Sequence, residues 1–99
     1  MLLIREVFHC KPGKVRPMVE KMKAMANLGE KYGMPKPRVM TDLSGSRYWT
    51  VISEIEVESF EAFMKMGADP DQAKEFEAIM KGYHDLIDHG YREIYTIET

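Results

Sequence analysis

Four groups of side chains in this 99-residue chain could do chemistry: His9-Cys10, His84-Asp85-Leu86-Ile87-Asp88-His89, the carboxylate of Glu54, and nine methionines. Neighbours on a strand point to opposite faces, so His9 and Cys10 cannot converge on one ligand. Cys10 is read as a small buried hydrophobe, not a nucleophile. For His9 two readings stand: an exposed or strand-capping imidazole, or a proton-transfer residue at the mouth of the fold. On a helix, His84 would reach Asp88 and Asp85 would reach His89, which suits base or metal chemistry, yet no further ligand-type residue clusters with them. Histidines in the last turns of a helix also face its negative end, an ordinary structural use. Methionines at helical spacing, such as Met18, Met22 and Met25, are core filler first and an adaptable ligand lining second.

Glu54 is the carboxylate of most interest. On a strand over residues 48–57, Tyr48, Thr50, Ile52 and Glu54 share one face, whereas Trp49, Val51, Ile55 and Val57 lie on the other. The second set is more uniformly apolar and suits helix packing. The first is therefore expected to face an interior away from the helices, making Tyr48, Thr50, Ile52 and Glu54 candidate ligand-binding residues. Glu54 and His9 are the candidate catalytic residues. Arg5, Glu6, Arg38, Arg47 and Arg92 are the possible partners of Glu54, with an ion pair at a dimer interface as the competing reading.

These residues must be positioned by one domain, 1–99, at 11.5 kDa. One cysteine excludes a disulfide framework and multi-cysteine metal sites, and no metal or cofactor is expected. The opening Met1-Leu2-Leu3-Ile4 meets Arg5 at once, too short for a signal or membrane segment, and a cytoplasmic protein with no membrane partner is expected. Net charge is −2, but residues 1–38 hold nine Lys/Arg and three Glu, and residues 39–99 five Lys/Arg and thirteen Asp/Glu. Such an acidic second half would repel phosphates, so no nucleic-acid partner is expected; attraction between the halves is the better reading.

Apolar and turn patterns order the elements. Leu2 to Cys10 reads as a strand ended by Lys11-Pro12-Gly13-Lys14, and Val15 onward as an amphipathic helix ended at Gly33. Arg38–Leu43 and Tyr48–Val57 read as an antiparallel pair around Ser44-Gly45-Ser46. Ser59 caps a short helix, Phe60 to Met66. After Asp69-Pro70, a second long helix carries Ala73, Phe76, Ile79, Met80, Tyr83, Leu86 and Ile87 to a stop at Gly90, and Tyr91 to Ile97 is a last strand. The order β-α-β-β-α-β makes a ferredoxin-like α+β fold, a four-stranded antiparallel sheet with both helices on one face. Strand one is apolar on both sides, with Leu2, Ile4 and Phe8 against Leu3 and Val7. A homodimer is expected to cover the second face.

Two stretches carry a family likeness: Phe8-His9-Cys10-Lys11-Pro12-Gly13-Lys14, and Ser53-Glu54-Ile55-Glu56-Val57-Glu58-Ser59-Phe60-Glu61-Ala62-Phe63. With them the chain resembles the dimeric α+β barrel superfamily, which includes NIPSNAP-like proteins and antibiotic-biosynthesis monooxygenase-type domains. The resemblance implies two sheets paired into a barrel able to hold a small organic molecule. Those monooxygenases often carry a histidine where Phe63-Met64-Lys65-Met66-Gly67 stands here. A binding or assembly module for a small apolar molecule is therefore expected. The alternative is a cofactor-independent monooxygenase or isomerase acting on an apolar or aromatic metabolite. Two folds of the same element order are excluded. Arg47-Tyr48-Trp49-Thr50-Val51-Ile52-Ser53 lacks the glycine of an RNA-recognition strand, and strand one lacks the paired cysteines of a copper chaperone.

Overall fold

A computed structural model describes residues 1–99. Its strands are β1 (Leu2–Cys10), β2 (Arg38–Thr41), β3 (Thr50–Val57) and β4 (Ile87–Thr96), and its helices α1 (Val15–Lys31), α2 (Phe60–Lys65) and α3 (Pro70–Met80). The strands form one antiparallel sheet in the order β2-β3-β1-β4, as the ferredoxin-like order requires. The helices cover the face that carries Ile4, Glu6, Phe8, Ser53 and Ile55. α1 forms because its apolar residues recur on one stripe, burying Met18, Val19, Met22 and Ala26. Met18, Val19 and Met22 join Cys10 and Val51 in the core. α2 and α3 start at Ser59 and Asp69, whose side chains accept from Ala62 and from Asp71 and Gln72 N–H groups.

Four expected boundaries fail, two around the β2–β3 loop and two between α3 and β4. β2 ends at Thr41 and β3 begins at Thr50, not Tyr48. Asp42 Oδ1 accepts from Thr50 N–H at 2.8 Å, and the Thr50 hydroxyl donates to the Arg47 carbonyl at 3.1 Å. These side-chain bonds hold residues 42–49 in a loop despite the β propensity of Tyr48 and Trp49. Trp49 takes φ 63°, outside strand geometry, and Tyr48 is largely exposed.

The second long helix stops at Met80 and does not reach Ile87. Gly82 turns the chain with φ 84°, and Lys21 Nζ donates to the Ile79 and Lys81 carbonyls at 2.9 and 2.8 Å, satisfying groups a further turn would have used. Tyr83–Asp85 form a 3₁₀ turn, and β4 starts at Ile87, four residues before the expected Tyr91. Gly90 is consequently no helix stop. It lies mid-strand, where a Cβ would meet Phe8 Cδ1 and the Val7 carbonyl, each at 3.1 Å, so its lack of a side chain admits the Phe8 ring.

Candidate functional site

The strand registers arrange the helix-free face in rungs. Arg38, Glu54, Arg5 and Glu93 lie side by side across β2, β3, β1 and β4. The next rung is Met40, Ile52, Val7 and Tyr91, and beyond it Thr50 pairs with His9 and His9 with His89. Thr50, Ile52 and Glu54 thus lie on the face expected of them. Tyr48 does not join them, because the loop that begins at Asp42 removes it from the strand.

Glu54 is a hub of charge pairing, its side chain only 11% exposed. Arg38 Nη2 donates to its Oε1 at 3.0 Å, and Arg5 Nε stands 3.2 Å from its Oε2. The Arg5 contact is an ion pair without a hydrogen bond, since Nε finds no well-aligned acceptor. Arg5 Nη1 also lies 3.8 Å from Glu93 Oε1. Of the five possible partners the structure selects Arg5 and Arg38. Glu6 and Arg92 pair with each other on the helix side, with Arg92 over the Phe63 ring, and Arg47 lies 3.9 Å from Asp88.

His9 is buried, 5% exposed, not a solvent-facing strand end. Its Nδ1 lies 3.1 Å from the Thr50 hydroxyl oxygen. That hydroxyl already donates to Arg47 O, so it accepts here, and His9 carries its proton on Nδ1. Nε2 keeps a free lone pair. Burial, then the nearby Arg47 and His89, hold the His9 pKa below the usual imidazole value, so the ring is neutral at pH 7. Burial in the core raises the Cys10 thiol pKa, with Asp42 and Asp88 adding to it, as befits a packing residue.

Sequence reasoning missed what surrounds His9. His89 faces it with ring centroids 4.8 Å apart, Tyr91 lies 5.6 Å away, and Arg47 arrives from the loop. The alternation from His89 to Tyr91 was the available signal, hidden by assigning residues up to Gly90 to a helix. The two i,i+4 pairs of residues 84–89 do not form. His84 sits in the 3₁₀ turn, its ring 4.0 Å from that of Tyr83, while Asp88 and His89 are in β4. No three His, Cys, Asp or Glu side chains converge as a metal site.

Also unforeseen is a cleft of about 400 Å³ between the sheet and the helices, twelve of its eighteen lining residues hydrophobic. Met22, Met25, Met34, Met66 and Met80 line it, with Phe63 and Phe76 among the aromatics. The volume falls in the range of small-molecule sites, roughly 300–1,000 Å³. Its charged residues, Glu6 and Arg92, bond to each other, so it offers an apolar wall without a free acid or base.

No helix is long and apolar enough to cross a membrane. No family model matches the chain, and no curated protein matches it. Solved structures do. An uncharacterised NIPSNAP domain protein from Burkholderia xenovorans is 16% identical at TM-score 0.73, the match covering 98% of this chain and 94% of that one. A protein provisionally named an antibiotic biosynthesis monooxygenase, from Nitrosomonas europaea, is 8% identical at TM-score 0.73 with both chains fully covered. An Arabidopsis thaliana protein is 23% identical at TM-score 0.72, over 100% of this chain and 97% of that one. At these identities the likeness is one of fold, and the chain has the α+β ferredoxin-like fold of NIPSNAP domain and antibiotic-biosynthesis-monooxygenase-like structures.

Proposed function

We propose that the protein is a homodimeric module that binds a small apolar or aromatic molecule in the methionine-lined cleft between sheet and helices. The observation that carries this reading is the cleft itself, about 400 Å³ with a mainly hydrophobic lining. Methionine suits such a wall because its unbranched thioether adapts to varied shapes and makes favourable contacts with aromatic rings. Dimerisation through the helix-free face is supported by the apolar rung Met40, Ile52, Val7 and Tyr91, which no helix covers. A thin core supports it too, since only twelve of 99 residues are buried. In this reading Glu54 orders the pairing face, and Thr50 and Ile52 belong to that face.

The second reading, a cofactor-independent monooxygenase or isomerase, draws on the fold shared with the Nitrosomonas protein and on the free Nε2 of His9. His9 lies on the opposite side of the sheet from the cleft, which favours binding over catalysis there. Methionine-methyl NMR tests the proposal. Added indole is expected to shift the methyls of Met22, Met25, Met34, Met66 and Met80 while leaving Met40 unmoved. Shifts at Met40 alone, or none, would overturn it.

A further inference from the structure

The floor of the methionine-lined cleft breaks the pattern of the sheet that forms it. On the helix-covered face the registers set Ile55, Ile4 and Ile94 in one rung across β3, β1 and β4, and Val51, Phe8 and Gly90 in another. Between them runs the polar rung Ser53, Glu6 and Arg92. A strand face packed under helices is ordinarily apolar along its length, so packing alone does not account for three polar side chains in a row. All three line the cleft, and Glu6 and Arg92 are the only charged residues that do. The same two border a depression along β4, which puts them where the cleft opens. The pair is held in place yet incompletely used. Arg92 Nε donates to Glu6 Oε1 at 2.5 Å, and the guanidinium carbon lies 5.0 Å from the centre of the Phe63 ring, so β1 and α2 together fix the group. Arg92 makes no other hydrogen bond, which leaves the donors on both terminal nitrogens, and Glu6 Oε2 remains an acceptor. Donors and an acceptor thus stand side by side with no net charge between them.

We infer that Glu6 and Arg92 select what the cleft takes, and that the ligand is an uncharged apolar alcohol, a molecule with an apolar body and one hydroxyl. This selection rests on the cleft being the binding site proposed above. The hydroxyl donates to Glu6 Oε2 and accepts from an Arg92 terminal nitrogen, while the body lies against the methionines. An anion of the same shape meets the Glu6 carboxylate, and a cation meets the Arg92 guanidinium. Each ion also surrenders its water to a wall that is otherwise mainly apolar. A hydrocarbon suits that wall but covers the polar rung without replacing the water it displaces, so it leaves donors and acceptor unmatched. Only a neutral group that both gives and accepts a proton in hydrogen bonds satisfies the pair without unbalancing its charge.

Four probes of one shape test this on the intact protein: toluene, benzyl alcohol, benzoate and benzylammonium, each titrated against the methyls of the five cleft methionines. Benzyl alcohol is expected to bind about five- to tenfold more tightly than toluene, the effect of one or two added neutral hydrogen bonds, and both ions more weakly than the alcohol. Glu6→Gln leaves Arg92 without its anion, and benzoate is expected to gain about tenfold relative to toluene in the same variant. Arg92→Gln leaves Glu6 without its cation, and there the gain passes to benzylammonium. Taking each ratio within one variant cancels any loosening of the cleft, and opposite inversions of charge preference are not what a purely structural ion pair would give. Toluene or either ion binding the parent as tightly as benzyl alcohol, or a charge preference unmoved in either variant, would overturn the inference and leave the cleft reading standing. No methyl shift from any of the four would overturn the cleft reading and this inference with it.

Discussion

A carboxylate held between two guanidiniums behaves differently from one lining an empty cavity, and Glu54 is of the first kind. Both its oxygens face arginines, but the three side chains are unequally shielded: Glu54 is 11% exposed, Arg5 35% and Arg38 70%. Glu54→Gln keeps the volume and removes the charge, leaving Arg5 and Arg38 without their shared partner. Water reaches both arginines, so the expected loss is about 1–2 kcal/mol, less than the ~3–5 kcal/mol of breaking a fully buried pair. Urea unfolding at fixed protein concentration measures it, and an unchanged or raised midpoint would contradict the hub. Alternation along β3 made the side of the sheet that Glu54 occupies legible. Which arginines meet it was not, because cross-strand register depends on residues as far apart as Arg5, Arg38 and Glu54. Nor was the burial of His9 legible, because His89 and Tyr91, which lie against its ring, come from β4.

At the scale of elements, turn chemistry was legible wherever it was carried by local residues: Gly33 after α1, Ser59 before α2, Asp69-Pro70 before α3. The errors came where a distant side chain decides the boundary. Tyr83, Leu86 and Ile87 continue the helical spacing of α3, yet Lys21, on α1, takes the carbonyls at its end. Lys21→Met keeps the stem that packs between the helices and removes both donors. It is expected to cost about 1 kcal/mol, in the range of charge-assisted bonds at a partly exposed site. Amide exchange should quicken from Gly82 to Leu86, where the 3₁₀ turn follows. Protection there equal to that of the parent would show that Gly82 alone sets the stop.

For the whole molecule, the order of elements was enough to specify the four-stranded sheet and its helix layer, because few topologies accommodate β-α-β-β-α-β with right-handed crossings. The methionine-lined cleft was not legible, since its walls come from helices and sheet together and the same methionines fit a filled core. Dimerisation is open to a test in charge. In the proposed dimer, with the two sheets face to face and related by a half-turn about an axis along the strands, β2 of one protomer lies over β4 of the other. Arg38 then meets the partner's Glu93, and Glu54 meets the partner's Arg5. Glu93→Arg is expected to weaken the dimer by about tenfold, since like charges come to face one another. Adding Arg38→Glu is expected to recover dimer affinity although it places a second like-charged neighbour within each chain. Sedimentation equilibrium reads the association and chemical unfolding the fold, and parallel changes in the two would contradict this arrangement.

The rung Arg38, Glu54, Arg5 and Glu93 runs plus, minus, plus, minus. Read backwards it is its own complement, the property that lets a palindromic strand of nucleic acid pair with a copy of itself. A half-turn about the perpendicular in-plane axis would set each charge on its like, so in the proposed dimer the row would select one of two docking orientations that the apolar rung beside it cannot tell apart. Every substitution in such a row acts twice, once in each protomer. A related chain with a shifted charge order would be rejected by this one while still recognising itself. Four side chains would then be enough to keep closely similar sheets from mixing.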